Sequence, residues 1–168
     1  MKRLAALLLV LLALPIAACG DDDGAGTASA SGSGSGSVAA SDDCEVVQGS
    51  DESASDEVHV ALDEWSIDVT EDGAPAGLVR FDTTNAGDED HELVVVRGAQ
   101  DDLPVSGGEV DEDQVDLVGE IEPFASGKKC VGTWELAAGT YTLFCGIVEE
   151  DEGQSHFAEG MVTELEVK

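Results

Sequence analysis

The sequence predicts an all-β domain, a sandwich or a barrel, over residues 57–168. Apolar residues there recur at every second position, which is the period of a half-buried strand and not the 3.6-residue period of a helix. The runs are short and are separated by turn-forming residues such as Asn85-Ala86-Gly87, a spacing typical of sandwiches and barrels. The predicted strands are residues 58–62, 65–69, 78–81, 91–97, 131–136, 140–145 and 161–167.

Two regions of the predicted domain differ from isolated strands. Residues 131–136 and 140–145 are predicted to form a hairpin around Ala137-Ala138-Gly139, because two alternating runs separated by a short Gly-containing turn usually pair with each other. Residues 100–120 are acidic and contain glycine. Their pattern is compatible with a long loop or with a short surface helix, and the sequence does not decide between the two.

The chain begins with a pattern typical of an exported lipoprotein. Met1-Lys2-Arg3 is basic, and the apolar stretch after it is shorter than the ~20 residues of a membrane-spanning helix. The residues before Cys19 resemble a bacterial lipobox. We therefore expect residues 1–18 to be a lipoprotein signal peptide and Cys19 to be lipidated, which anchors the protein on the extracytoplasmic face of the bacterial cell membrane. An ordinary secretory signal is the alternative, and it also predicts export.

A linker and one domain are expected after the signal. Residues 19–56 are rich in Gly, Ser, Ala and Asp, a composition that buries little surface and behaves as a flexible acidic tether. Cys44, Val46 and Val47 nevertheless favour contact between the end of this segment and the domain. Residues 57–168 are then of normal length for one domain with a single core.

Four residues carry side chains that bind soft and intermediate metals: His91, Cys145, His156 and Met161. A thiolate, two imidazoles and a thioether select copper and allow it to alternate between Cu(I) and Cu(II). Each residue alone has an ordinary explanation, because a histidine at a strand start or a methionine in a core is common. All four in this order on a β framework predict a copper site.

The surroundings of these residues resemble a known family. Residues 139–147, Gly-Thr-Tyr-Thr-Leu-Phe-Cys-Gly-Ile, and residues 156–161, His-Phe-Ala-Glu-Gly-Met, resemble the copper loop of cupredoxins, the plastocyanin-like blue copper proteins. Residues 85–93 resemble their first histidine site. The resemblance covers about residues 57–168 and implies a Greek-key β-sandwich or barrel. It also implies one type 1 copper, bound by His91, Cys145 and His156 with Met161 as a weak axial ligand.

The spacing departs from the family in one place. Cupredoxins usually have only a few residues between the cysteine and the second histidine, whereas residues 146–155 separate them here. The additional residues, 149–154, are polar and mostly acidic. We expect them to loop outward and leave the ligands at either end in place.

The four cysteines divide in a way that fits this interpretation. With Cys19 assigned to lipid and Cys145 to copper, Cys44 and Cys130 remain to form a disulfide in an oxidising compartment. The alternative is a bridge between Cys130 and Cys145 across the predicted hairpin. That bridge would remove the copper thiolate.

The resemblance to cupredoxins implies a monomeric protein that carries single electrons between redox partners and is not an enzyme. The lipobox-like start of the chain adds the expectation that it is tethered to a membrane. Three histidines cannot supply the additional copper centre of copper oxidases or nitrite reductases, and no pair of nucleophile and base is evident. Two alternatives remain open: a copper-holding or copper-delivery protein, and a copper-free cupredoxin-like interaction module. Metal content and reversible redox chemistry distinguish the three.

Net charge is the remaining signal. Thirty-seven acidic residues against seven basic ones give −30 at pH 7, which excludes nucleic acid as a natural partner. The acidity is compatible with a saline habitat or with the attraction of redox partners that have basic surfaces. Because it is spread along the whole chain, adaptation to salt is favoured, although residues 149–152 should lie beside the His156 end of the site.

Overall fold

The structure is a computed structural model, and it describes residues 44–149 and 153–168. The predicted signal peptide, the lipidation site Cys19 and the linker up to residue 43 lie outside the described residues. Within the described ranges, no helix is long and apolar enough to cross a membrane.

Two β-sheets make up the fold. In the described residues the strands are β1 (Val46–Val47), β2 (Asp56–Asp63), β3 (Ser66–Val69), β4 (Gly77–Asn85), β5 (His91–Arg97), β6 (Val105–Ser106), β7 (Glu109–Val110), β8 (Asp116–Phe124), β9 (Lys129–Leu136), β10 (Gly139–Phe144) and β11 (Val162–Val167), with the short helix α1 (His156–Glu159). One sheet has five strands in the order β1-β8-β5-β10-β11, and the other has four in the order β3-β2-β4-β9. Neighbouring strands are mostly not consecutive in the sequence, as a Greek-key arrangement requires.

The core lies between the two sheets. In β2, Val58, Val60 and Leu62 are buried while the residues between them are more exposed, which is the alternation that the sequence predicts for a strand with one face inward. These side chains join one continuous cluster with residues of the opposite sheet, including Leu93, Val95, Ile121, Leu143 and Leu165. The fold is therefore a β-sandwich, as predicted.

Strand β5 is buried on both faces, which explains its uninterrupted apolar run. Leu93 and Val95 belong to the main core. Val94 and Val96 form a second cluster with Phe144 on the other face of the sheet. That cluster is covered by Leu103, Val110, Val115, Leu117, Phe157 and Val162. Packing on both faces therefore holds β5 in place, together with His91 at its start.

Residues 100–120 form neither a long loop nor a surface α-helix. They contain two 3-10 turns, at Gln100–Asp102 and Glu112–Gln114, and the two-stranded ribbon β6–β7. From Asp116 onward the chain is β8, a full strand paired with β5 and β1. Strand β8 was not predicted because Gly119 and Pro123, two residues disfavoured inside strands, interrupt its alternating pattern.

The predicted hairpin of residues 131–136 and 140–145 is wrong. Strand β9 pairs with β4, whereas β10 pairs with β5 and β11 in the other sheet. The short turn between them carries the chain from one sheet to the other. Alternation identifies each strand but does not specify its partner, and both choices bury the same apolar face.

The folded domain extends upstream of the predicted boundary at residue 57. Strand β1 pairs with β8, and the Trp134 indole N–H donates a hydrogen bond to the Val47 carbonyl (3.0 Å). Cys44 is bonded to Cys130 in a disulfide with a Cα–Cα distance of 5.7 Å. The predicted disulfide is thus confirmed, and Cys145 is a free thiol.

Candidate metal centre

Three neighbouring strands place predicted ligands at one end of the five-stranded sheet. His91 is the first residue of β5, Cys145 directly follows β10, and Met161 directly precedes β11. Strand β10 lies between the other two and pairs with both. The Cys145 N–H also donates to the Met161 carbonyl (3.1 Å), so these two residues are joined directly through their backbones.

The short helix α1 brings in His156. Ser155 caps the helix, since its hydroxyl accepts a hydrogen bond from the Ala158 N–H (3.3 Å). The His156 N–H donates to the Ile147 carbonyl, and the Met161 N–H donates to the His156 carbonyl, both at 3.0 Å. These bonds hold His156 over the strand ends from which Cys145 and Met161 arise.

The side chains of His91, Cys145 and His156 converge. The two Nδ1 atoms of His91 and His156 are 3.2 Å apart, and Cys145 Sγ lies 3.4 Å from His156 Nδ1. One ligand atom from each residue lies within 4.8 Å of the others. All three side chains are fully buried, and so is Met161. The fold therefore gathers His91, Cys145 and His156, three of the predicted ligands, into one compact group.

The chemistry of this group fits a soft or intermediate metal ion. Burial raises the pKa of the Cys145 thiol to about 12, so an ion must displace its proton to bind the sulfur. Burial, together with the neighbouring His91, lowers the pKa of His156. A neutral imidazole offers a lone pair, and two imidazoles with one thiolate form a donor set suited to copper.

A β-bridge brackets the additional residues between Cys145 and His156. Val148 and Ser155 form this antiparallel bridge, and the Glu149 N–H donates to the Gln154 carbonyl (2.9 Å). Residues 150–152 lie outside the described ranges, and with them the expected outward loop. Despite the long spacing, Cys145 Sγ and His156 Nδ1 are 3.4 Å apart.

Carboxylates lie near the Nε2 atoms of both histidines. Glu64 Oε1 is 3.0 Å from His91 Nε2. His156 Nε2 is 3.4 Å from Glu149 and 3.7 Å from Glu89, although neither contact has hydrogen-bond geometry. Glu89, Glu149 and His156 form a second group of close donor atoms, but it shares His156 with the first group and is not independent of it.

Two glutamates have pKa values shifted in opposite directions. Hydrogen bonds from backbone N–H groups, that of Glu89 above all, lower the pKa of Glu64 to about 2, so Glu64 is a carboxylate at neutral pH. Burial raises the pKa of Glu92 to about 7. Glu92 accepts a hydrogen bond from the Gly146 N–H (2.7 Å) and so connects β5 to the residue after Cys145.

Neither Glu64 nor Glu92 was assigned a role by the sequence analysis. Each is one of 37 acidic residues, and Glu64 contacts a histidine 27 positions away. Glu92 directly follows His91. An acidic residue inside the apolar run 91–97 is the sequence signal from which its burial could have been predicted.

No family model and no curated protein matches this chain, but solved structures do. Auracyanin B aligns with a TM-score of 0.54 at 20% identity, covering 74% of this chain and 97% of that one. A dithionite-reduced auracyanin from the photosynthetic bacterium Roseiflexus castenholzii gives 0.53 at 22%, covering 69% and 99%. Reduced rusticyanin gives 0.51 at 22%, covering 69% and 79%.

These likenesses extend over nearly the whole described part of the chain and over most of each matched protein. They agree with the two-sheet architecture. The chain has the cupredoxin fold.

Proposed function

We propose that this protein binds one type 1 copper ion through His91, Cys145 and His156, with Met161 as an axial ligand, and carries single electrons. The observation that carries the proposal is the buried His-Cys-His cluster at the end of a cupredoxin sandwich. When bound, copper supplies a one-electron couple between Cu(I) and Cu(II).

The residues of the chain provide what such a couple needs. Sulfur and nitrogen donors held by strands satisfy neither the geometry preferred by Cu(I) nor that preferred by Cu(II), so the site changes little when an electron arrives. Complete burial excludes water from the ligands. Two of the structurally similar proteins, the Roseiflexus auracyanin and rusticyanin, are described in reduced states, which supports a redox role.

We favour a carrier over an enzyme because, among the residues that the structure describes, no group of potential metal ligands is independent of the His91, Cys145 and His156 cluster. The remaining histidine, His59, bonds to Glu71 (2.8 Å). Within the described ranges His59 belongs to no group of potential metal ligands.

The visible spectrum tests this function. One equivalent of Cu(II) added to the purified protein should produce an intense blue band, because a buried thiolate donates charge to Cu(II). Voltammetry should then show a reversible one-electron wave. A band without reversibility would support copper storage or delivery, and the absence of both band and bound copper would support a copper-free interaction module.

The protein is further proposed to work outside the cytoplasm as a lipid-anchored monomer. The support is the lipobox-like sequence that ends in Cys19. Radiolabelled fatty acid should enter the full-length protein in a bacterium, and Cys19→Ala should prevent this. Labelling that persists in the variant would refute Cys19 as the anchor.

Redox partners with basic surfaces are proposed to dock near His156. Exposed carboxylates of Asp88, Glu89 and Asp90 precede the site, and Glu149 lies beside His156 Nε2. Opposite charges accelerate encounter, and salt screens them. The rate of electron transfer to a basic redox protein should fall steeply as ionic strength rises; a rate independent of salt would contradict this docking.

A further inference from the structure

His91 uses its two ring nitrogens in different directions. Nδ1 points to His156 and the metal-ligand cluster, whereas Nε2 lies 3.0 Å from Glu64 Oε1. His91 is fully buried, and the Glu64 side chain is 23% exposed. Because an ionised carboxylate can only accept, the proton of a neutral His91 belongs on Nε2, and the lone pair on Nδ1 faces the cluster.

Glu64 is itself held in place. It lies in the turn between β2 and β3, and its Oε1 accepts hydrogen bonds from the backbone N–H groups of Asp88 (2.8 Å) and Glu89 (2.9 Å). Trp65, the next residue, places its ring against that of His156 at a centroid distance of 5.0 Å. One turn therefore contacts both histidines of the site.

Gly87 provides the space for this contact. A Cβ atom there would overlap Glu64 Oε1 and would lie 2.8 Å from His91 Nε2, so any larger residue would push the carboxylate or the imidazole away. Asn85 braces the same loop, since its side-chain amide donates to the carbonyls of Glu89 and Phe124 (2.8 and 2.9 Å).

We propose that Glu64 is a positioning residue of the copper site, which holds His91 with Nδ1 toward the ion and lowers the reduction potential through its negative charge. The inference rests on the proposed copper function. Carboxylates that accept from a ligating histidine fix its tautomer and raise its basicity as a ligand. A fixed negative charge near the ion stabilises Cu(II) more than Cu(I), because Cu(II) carries the larger positive charge.

Glu64→Gln tests the charge. Glutamine retains a carbonyl oxygen that can accept the same three hydrogen bonds, so the geometry should persist while the charge is lost. We expect the affinity for Cu(II) to fall about tenfold more than that for Cu(I), within the range typical of such supporting residues. This difference corresponds to a rise in potential of about 59 mV for a one-electron couple.

Glu71→Gln is the matched control. Glu71 forms a similar Glu–His contact with His59, a histidine outside the cluster, and its substitution changes the net charge by the same amount. The potential of Glu71→Gln should stay at the wild-type value. If Glu64→Gln and Glu71→Gln have equal potentials, the proposal is overturned.

Glu64→Ala tests the positioning in the metal-free protein. Nitrogen-15 NMR of the histidine rings should show His91 protonated on Nε2 in the wild type and in Glu64→Gln, but a mixture of tautomers in Glu64→Ala. An unchanged tautomer in Glu64→Ala would overturn the positioning role. Gly87→Ala, which keeps the carboxylate but displaces it, should raise the potential as well and serves if Glu64→Ala folds poorly.

Copper binding and the role of Glu64 are tested separately. A wild-type protein without a copper–thiolate band would refute the proposed function. The NMR measurement needs no copper, and it would still decide whether Glu64 controls the tautomer of His91.

Discussion

Cys145→Ser should abolish the blue band completely while leaving the fold intact. The band requires a Cu(II)–thiolate bond, and a serine hydroxyl is a hard donor that gives no such transition. Serine is close to cysteine in size, and the backbone bond from residue 145 to the Met161 carbonyl does not involve the side chain. Visible absorption after addition of Cu(II), with circular dichroism and thermal unfolding as checks on the fold, measures both parts.

Met161→Leu is the matched variant, since it removes the other sulfur from the same region. Met161 is fully buried, and leucine retains a similar apolar volume. Because an axial thioether bond is long and weak, the blue colour should remain and the potential should rise, whereas Met161→Gln should lower it by offering a harder oxygen. Blue colour in Cys145→Ser would contradict the assigned thiolate, and equal potentials in all Met161 variants would mean that Met161 only fills the core.

Removing the Cys44–Cys130 disulfide should cost the protein about 4 kcal/mol of unfolding free energy. The bond joins residues separated by 86 positions, and closing so long a loop restricts the unfolded chain strongly. For a domain of this size the loss corresponds to a fall of roughly 10–20 °C in the midpoint of thermal unfolding. Calorimetry of the Cys44→Ala/Cys130→Ala double variant measures it.

Two controls separate the bond from the substitutions. Cys130 is fully buried, so its replacement also removes packing, whereas reduction of the wild-type disulfide by a thiol reagent changes no residue. Cys145→Ser removes the free cysteine and should keep the high midpoint. If reduction of the wild type leaves the midpoint unchanged, the disulfide does not contribute the expected stability.

The strands that frame the site were readable from the sequence for a simple reason. Residues 91–97 were predicted as one strand, and β5 has the same bounds, because two-sided burial demands a continuous apolar run. The residues of the His91, Cys145 and His156 cluster could be singled out because histidine and cysteine are rare in this chain and their order matched a known pattern. Rarity and pattern together carry more information than either alone.

What could not be predicted depends on contacts between distant parts of the chain. The turn after β9 has the length of a hairpin, yet β10 joins the other sheet, because partner choice is decided by packing across the whole sandwich. The predicted start of the domain, residue 57, lies after β1. A strand of only two residues is too short to show an alternating pattern. Glu64 contacts His91 from 27 positions away in the sequence. No local spacing of residues predicts such a contact.

The bridge between Val148 and Ser155 has a consequence for engineering. It fixes both ends of the acidic excursion, while the Cys145–Met161 backbone bond closes the larger loop beneath it. The entropy of closing a flexible loop changes only slowly with its length. We therefore expect the sequence between Val148 and Ser155 to accept a peptide tag, a fluorophore or a partner-specific sequence without disturbing the cluster of His91, Cys145 and His156.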